Sequence, residues 1–289
     1  MTAAIGVGIL PLVLPRSSGS AKASALASGA QSGFGRSAKP SAFASSAQQP
    51  RPDLNAPAPR LSDRTPDLSG VWQGGGSIAD ISDNLVPGES IQLLPEARRI
   101  LDARQSKDDP ETNCLPTGVP RIAPYPWRIV QTPAATRPTH IFFLFEANIH
   151  SYRQIFMNGR SHPADPDPTW YGHSIGRWDG DTLVVDTVGY NDKFWFDFRG
   201  HPHTDRLHTV ERYTRRNYGT LVNEVTIVDP GAYARPFKVT FTAVLQPGDE
   251  LIEYICNENN QDVSHIQGPP AAPGDPERAL GTLGTRTPK

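Results

Sequence analysis

Residues 172–187 read Gly-His-Ser-Ile-Gly-Arg-Trp-Asp-Gly-Asp-Thr-Leu-Val-Val-Asp-Thr, two short runs hinged on Asp179-Gly180-Asp181. Asp-Gly between runs of β-branched and aromatic residues is a hairpin signal, because the turn needs backbone angles that glycine adopts freely. The same grammar extends both ways. Downstream, His208–Arg215 and Leu221–Val228 flank residues 216–220, while Phe237–Leu245 and Leu251–Asn257 flank residues 246–250. Upstream, His140–Glu146 precedes Tyr152–Met157, which runs into Asn158-Gly159. Phe237, Val239, Phe241, Ala243 and Leu245 alternate with Lys238, Thr240 and Thr242, the period of a half-buried strand. A glycine-rich strand-to-helix turn is missing, which argues against a parallel α/β sheet. The expected fold class is all-β: an antiparallel meander of eight or more strands, forming an up-and-down barrel or a strongly curled sheet. A two-sheet sandwich is the alternative. One short helix, Pro95–Arg104 with proline in its first turn, precedes the main strands.

Two resemblances bear on this. Asp67-Leu68-Ser69-Gly70-Val71-Trp72 resembles the Gly-x-Trp opening of lipocalin-like (calycin) barrels. The resemblance implies a calycin/lipocalin-like barrel with Trp72 plugging one end. The 172–187 hairpin, Glu211-Arg212-Tyr213 and Glu253-Tyr254-Ile255-Cys256-Asn257-Glu258-Asn259 together resemble a group of exported bacterial proteins. That second resemblance spans most of the folded unit and implies an address but no activity.

The ends of the 289-residue chain differ from its middle. An apolar run, Ala3–Leu14, is followed by Ala-x-Ala pairs at Ala21/Ala23 and Ala25/Ala27, the layout of a signal peptide over residues 1–27, although no Lys or Arg precedes the run. Residues 28–66 form an Ala/Ser/Pro-rich linker expected to be disordered, and residues 264–289 a similar tail, because neither can bury enough apolar surface to offset its ordering entropy. The barrel domain is then residues 67–263. This predicts a periplasmic or secreted protein. No apolar run reaches the roughly 18 residues of a spanning helix, so no stable membrane insertion is expected after processing. A net charge of −2 without a basic stripe points away from nucleic acid as a partner. Cys114 and Cys256, an even pair in an exported chain, are compatible with one disulfide.

Seven of the eight histidines lie between His140 and His208, where aromatic residues also crowd, so the expected partner is a small apolar or aromatic molecule. The segment 161–173, with three prolines and two histidines, is long for a plain connection. It is expected to carry His162, Asp165 and His173 over a barrel mouth, with a histidine as general base and the carboxylate orienting it. Arg177 or Arg153 would stabilise a developing oxyanion, and Trp170, Tyr171, Trp178, Arg153 and Glu146 would contact the ligand. The resulting function is an acid/base enzyme without a cofactor, as a lyase, isomerase, cyclase or hydrolase. A non-catalytic binding or carrier barrel is the alternative, favoured if His173 and Arg177 point outward.

A third reading is a zinc-dependent hydrolase. His201-Pro202-His203-Thr204-Asp205 resembles the His-x-His-x-Asp motif of metallo-β-lactamase-like hydrolases, but Arg206 stands where that family has its next histidine. His201 and His203 would be the ligands. Gly172–Gly176 matches the Gly-x-Ser-x-Gly pattern of α/β-hydrolases, yet a hairpin follows where that motif needs a strand-to-helix turn. Glycoside chemistry would need two acids facing one cavity, and alternation turns most strand carboxylates outward, Glu224 among them.

Overall fold

The hairpin signals are realised as a ring of nine strands. The computed structural model describes residues 52–256 and 258, apart from 78, 122–124, 134–136 and 148–150. The chain divides into Met1–Gln49 and Pro50–Lys289, and all described residues belong to the second unit. The signal-peptide and tail assignments, and His150, lie outside the described residues.

The strands are β1 (Gly70–Gly74), β2 (Trp127–Thr132), β3 (His140–Phe145), β4 (Tyr152–Phe156), β5 (His173–Asp179), β6 (Thr182–Val188), β7 (His208–Arg215), β8 (Thr220–Val228) and β9 (Phe237–Leu245). Each pairs with the next, and β9 returns to β1, so the sheet closes into a barrel. Eight of the pairings are antiparallel. The exception is β4 with β5, which run parallel and meet at only two register pairs, Ile155 with Ser174 and Phe156 with Ile175. A parallel neighbour cannot follow through a tight turn. Residues 157–172 therefore carry the chain back along the outside of the wall as a strap. The barrel is mixed for this reason, where the alternating pattern predicts an unbroken antiparallel meander.

Period-two alternation decides what fills the barrel. Ile129, Ile141, Phe143, Phe145, Ile155, Leu183, Val185, Tyr213, Val225, Ile227, Phe237, Val239 and Phe241 are buried and belong to one core. Each such side chain contributes about 1.5–3 kcal/mol relative to exposure. At one end of the barrel, the segments after β6 and β8 bring Tyr190, Phe194, Phe196 and Tyr233 together over Phe237. The helix α1 (Pro95–Ala103) lies near this end, and the Leu94 amide at its N-cap donates to the Ala232 carbonyl. It is helical because proline opens the first turn and Ala97, Ile100 and Leu101 recur on one buried face.

At the other end Trp72 is sealed. Its indole donates to the Leu68 carbonyl at 3.0 Å, and the Arg215 guanidinium lies 4.9 Å over its ring. Residues 52–66, the end of the expected linker, are held here: Tyr218 and Gly219 donate to the Ala56 and Leu54 carbonyls, and Arg60 pairs with Asp181. Residues 251–255 are not a strand, contrary to the expected strand over Leu251–Asn257. β1 takes the position beside β9, so this segment has no edge left to join. Cys256 instead forms a disulfide with Cys114.

Candidate functional site

The wall made by β5, β6 and β7 carries two sets of polar side chains, one on each face. Register aligns Ser174 with Thr187 and Thr187 with Thr209, and all three are fully buried inside the barrel. Their chain neighbours His173, Asp186 and His208 have the opposite parity and lie on the outside, half-buried.

The outer set is linked through the strap. His162 places Nδ1 at 2.8 Å from His173 Nδ1, and its Nε2 at 2.9 Å from Asp186 Oδ1. His208 Nε2 reaches the same oxygen at 3.1 Å. An ionised carboxylate only accepts, so the His162 and His208 Nε2 atoms are assigned as donors to it. Neutral His162 then has a bare Nδ1, which accepts from His173 Nδ1–H, and His173 is left with a lone pair on Nε2. Phe156 stacks on the His173 ring with centroids 5.1 Å apart, and Arg160 covers Phe156 at 4.0 Å. Burial, then the neighbouring His162 and Arg160, push the His173 imidazole below its ordinary range. His140, Phe142 and Tyr152 continue the rings across the outer faces of β3 and β4.

The inner set surrounds a charged pair. Arg153 and Glu211 are each about 1% exposed and bonded to one another. Arg153 also donates from Nε to Ser174 at 3.0 Å and from Nη2 to Thr187 at 2.8 Å. Glu211 accepts from the Tyr213 hydroxyl at 2.7 Å and the Asn223 amide at 3.3 Å. Burial alone would push Arg153 down, but Glu211 reverses this and holds the guanidinium charged. Burial raises the Tyr190 and Tyr213 hydroxyls well above their ordinary range. Among the described residues, Arg153 Nη1 and Asn223 Oδ1 are buried without a hydrogen-bond partner, as are Gln131 Nε2 and Trp178 Nε1 on the same inner faces.

The structure brings His162 and His173 together, and the carboxylate that His162 Nε2 meets is Asp186. They also sit on the outer wall and not over a barrel mouth, because the strap runs outside a parallel pair. Arg177 is exposed on the outer face of β5, two strand positions beyond Ile175, and Arg153 lies inside. Tyr171 is buried on the strap, bonded to Ser151 at 2.6 Å with its hydroxyl pushed up to about 12 by burial, while Trp170 packs partly into the core. Glu146 fastens the chain after β9 by accepting from the Ile252 amide at 3.0 Å. Ser174 sits in a strand among hydroxyls, not on the exposed turn that a nucleophile elbow requires.

His201 and His203 diverge. His201 Nδ1 bonds Asp197 at 2.6 Å. His203 is sealed between Phe194 and Phe196 and pushed down to about 3 by burial. They sit in a loop, where the alternation that would align the two imidazoles does not operate. The ligand-like group here is Asp80, Asp197 and His201, whose donor atoms lie within 4.8 Å of one another. Asp197 already accepts from the Ile81, Gly200 and His201 amides, so its present role is to staple a turn. Clefts of about 380 and 450 Å³ lie at the Trp72 end, between residues 52–71 and the turn after β9, and no sequence-predicted site residue lines them. Asp186 and Glu211 are strand carboxylates that sequence reasoning weighed only for paired-acid chemistry, and not as the partners of His162 and Arg153. Asp186 was legible as a charge interrupting the apolar run 183–188, and Glu211 as an acid sharing parity with Tyr213. No family model, curated protein or solved structure matches the chain.

Proposed function

We propose that the protein is an exported, calycin-like barrel that performs acid/base chemistry on an apolar or aromatic small molecule, with His173 Nε2 as the general base. The observation that carries this reading is the hydrogen-bonded chain Asp186–His162–His173. It fixes the tautomer of both imidazoles and leaves one lone pair at its end. Burial keeps His173 unprotonated at neutral pH, as a base must be. A proton taken at Nε2 can be shared through Nδ1 with His162, whose other nitrogen faces Asp186, so the developing charge is stabilised along the chain. The rings of Phe142, His140 and Tyr152 offer an apolar floor beside it. Export accords with the disulfide and with the absence of a membrane-length apolar helix among the described residues.

Two measurements test the proposal. In ¹⁵N-imidazole spectra near pH 7.5, His173 should show a bare Nε2 and a protonated Nδ1; the reverse tautomer removes the base. In a turnover screen of aryl esters and enolisable aryl ketones, His173→Gln should lower any activity found by about 100-fold or more. Retained activity in that variant would sink the assignment.

A second reading, the non-catalytic ligand barrel, is favoured by the outward placement of His173 and Arg177, which keeps both out of the barrel interior, and, inside it, by two buried atoms, Arg153 Nη1 and Asn223 Oδ1. These are an unpaired donor and an unpaired acceptor flanking one carboxylate, a pattern that a small hydroxyl- or carbonyl-bearing molecule would complete. Native mass spectrometry of the full chain, showing an organic adduct lost on denaturation, would support it.

A further inference from the structure

The strap that carries His162 is attached unevenly. At its start, the Met157 amide donates to the Thr139 carbonyl, and at its end Thr169 bridges to Tyr190 and Tyr171 bonds Ser151. Among the described residues, no main-chain hydrogen bond joins 158–168 to the wall. Within that stretch the His162 side chain is hydrogen-bonded to the wall through His173 and Asp186, while Arg160 packs over Phe156 and Pro166 lies against Gly189. Beneath it lies the shortest ladder of the barrel, the two register pairs between β4 and β5. Arg153 on β4 reaches across that seam to Ser174 on β5.

We infer that the histidine chain is a proton-operated latch on residues 158–168, and that a second proton on the His162–His173 pair releases that stretch between its fixed ends and loosens the β4–β5 seam over Arg153.

The geometry sets the proton count. Two Nδ1 atoms 2.8 Å apart need one hydrogen between them. One added proton is tolerated, since a charged His173 still donates to the bare Nδ1 of His162. With both rings charged, two N–H groups face each other and the bond is lost. Every charged group facing the pair bears on this. Arg160 on the strap opposes each added proton, and Asp186 on β6 favours the first. Asp186 also accepts from His208 on β7, so its charge is shared. His140 on β3 stands beyond Phe156, whose ring lies between it and His173. Burial, then His162 and Arg160, disfavour the charged form of His173, so locking is strongest above the ordinary imidazole range and is lost as pH falls below it. The inference deepens the proposed function, because release would dismantle the chain that fixes the base. It borrows only the residues from that reading, and its test needs no substrate.

The test uses the full chain with Ala164→Cys labelled by a maleimide fluorophore. Ala164 is exposed, and both natural cysteines are tied in the disulfide, so the new thiol is the reactive one. Label anisotropy is followed from about pH 8 to about pH 4.5. It should fall about two-fold with a midpoint below about 6.5, while circular dichroism shows the barrel still folded. With His162→Gln added, anisotropy should be low at every pH. If that chain does not fold, His173→Gln, which cannot take the proton, should give a flat profile. High anisotropy throughout in the parent, a midpoint surviving in the variant measured, or a fall coincident with unfolding would overturn the latch. Loss of turnover with the latch intact, or the converse, separates this inference from the proposed base.

Discussion

The outer and inner faces of the β5–β7 wall are built from adjacent residues and obey different electrostatics. His173, Asp186 and His208 stand one residue away from Ser174, Thr187 and Thr209, so alternation alone sorts imidazoles and a carboxylate outward and hydroxyls inward. Inside, a charge survives only when paired, and the Arg153–Glu211 pair is held by two hydroxyls, a tyrosine and an amide, with Arg153 Nη1 alone left over. Outside, half-burial leaves the histidines within reach of solvent protons while still fixing their partners. The same wall therefore gives a permanent charge pair on one side and a titratable chain on the other.

The sharpest way to break this contrast is Glu211→Leu, which leaves a buried guanidinium unpaired and should cost about 3–5 kcal/mol in chemical unfolding. Pairing it with Arg153→Met should recover most of that loss; a single-variant cost below about 1 kcal/mol would show that the pair is not sealed. The barrel also has a sealed imidazole, His203, whose charged form is suppressed to about 3. The unfolded chain takes up that proton near pH 6.5. Stability should then fall by about 1.4 kcal/mol per pH unit between those values, and His203→Phe should flatten the acid limb. Ser174→Ala removes one acceptor from Arg153 and should cost about 1–2 kcal/mol without moving the outer histidine titrations. Smallest is Arg177→Ala. It is exposed, so its melting curve should stay within about 0.5 kcal/mol of the natural chain; a large loss would place Arg177 in a contact that the outer wall does not have.

Much of the ring was legible in the Asp179-Gly180 turn and in the alternation of residues 237–245, whereas Asn158-Gly159 opens the strap and closes no hairpin. β1 and β2 were not, because Gly70–Gly74 has no β-branched run and Trp127–Thr132 stands alone after a long irregular segment. Residues 251–255 show the opposite failure, a strand-like run whose place at the sheet edge β1 already fills. The strap was legible as unusual but not as a crossover, since nothing local reveals that β4 and β5 run parallel. Asp165, three residues from His162, was the natural carboxylate under local reasoning. Asp186 is 24 residues away, and the register of the Asp-Gly hairpin, which sets it directly across from Ile175 on His173's own face, is what brings it in. Arg153 and Glu211 share the parity of core residues, a conflict that pattern alone resolves in neither direction.

The Cys114–Cys256 bond spans 142 residues and encloses β2 through β9. Tension applied to the two ends of the chain would travel through the sulfur bridge and bypass that entire loop. Only β1 and the segment leading to Cys114 would bear load, so a pulled molecule would give up its first strand while the other eight stayed mechanically shielded until the bridge was reduced.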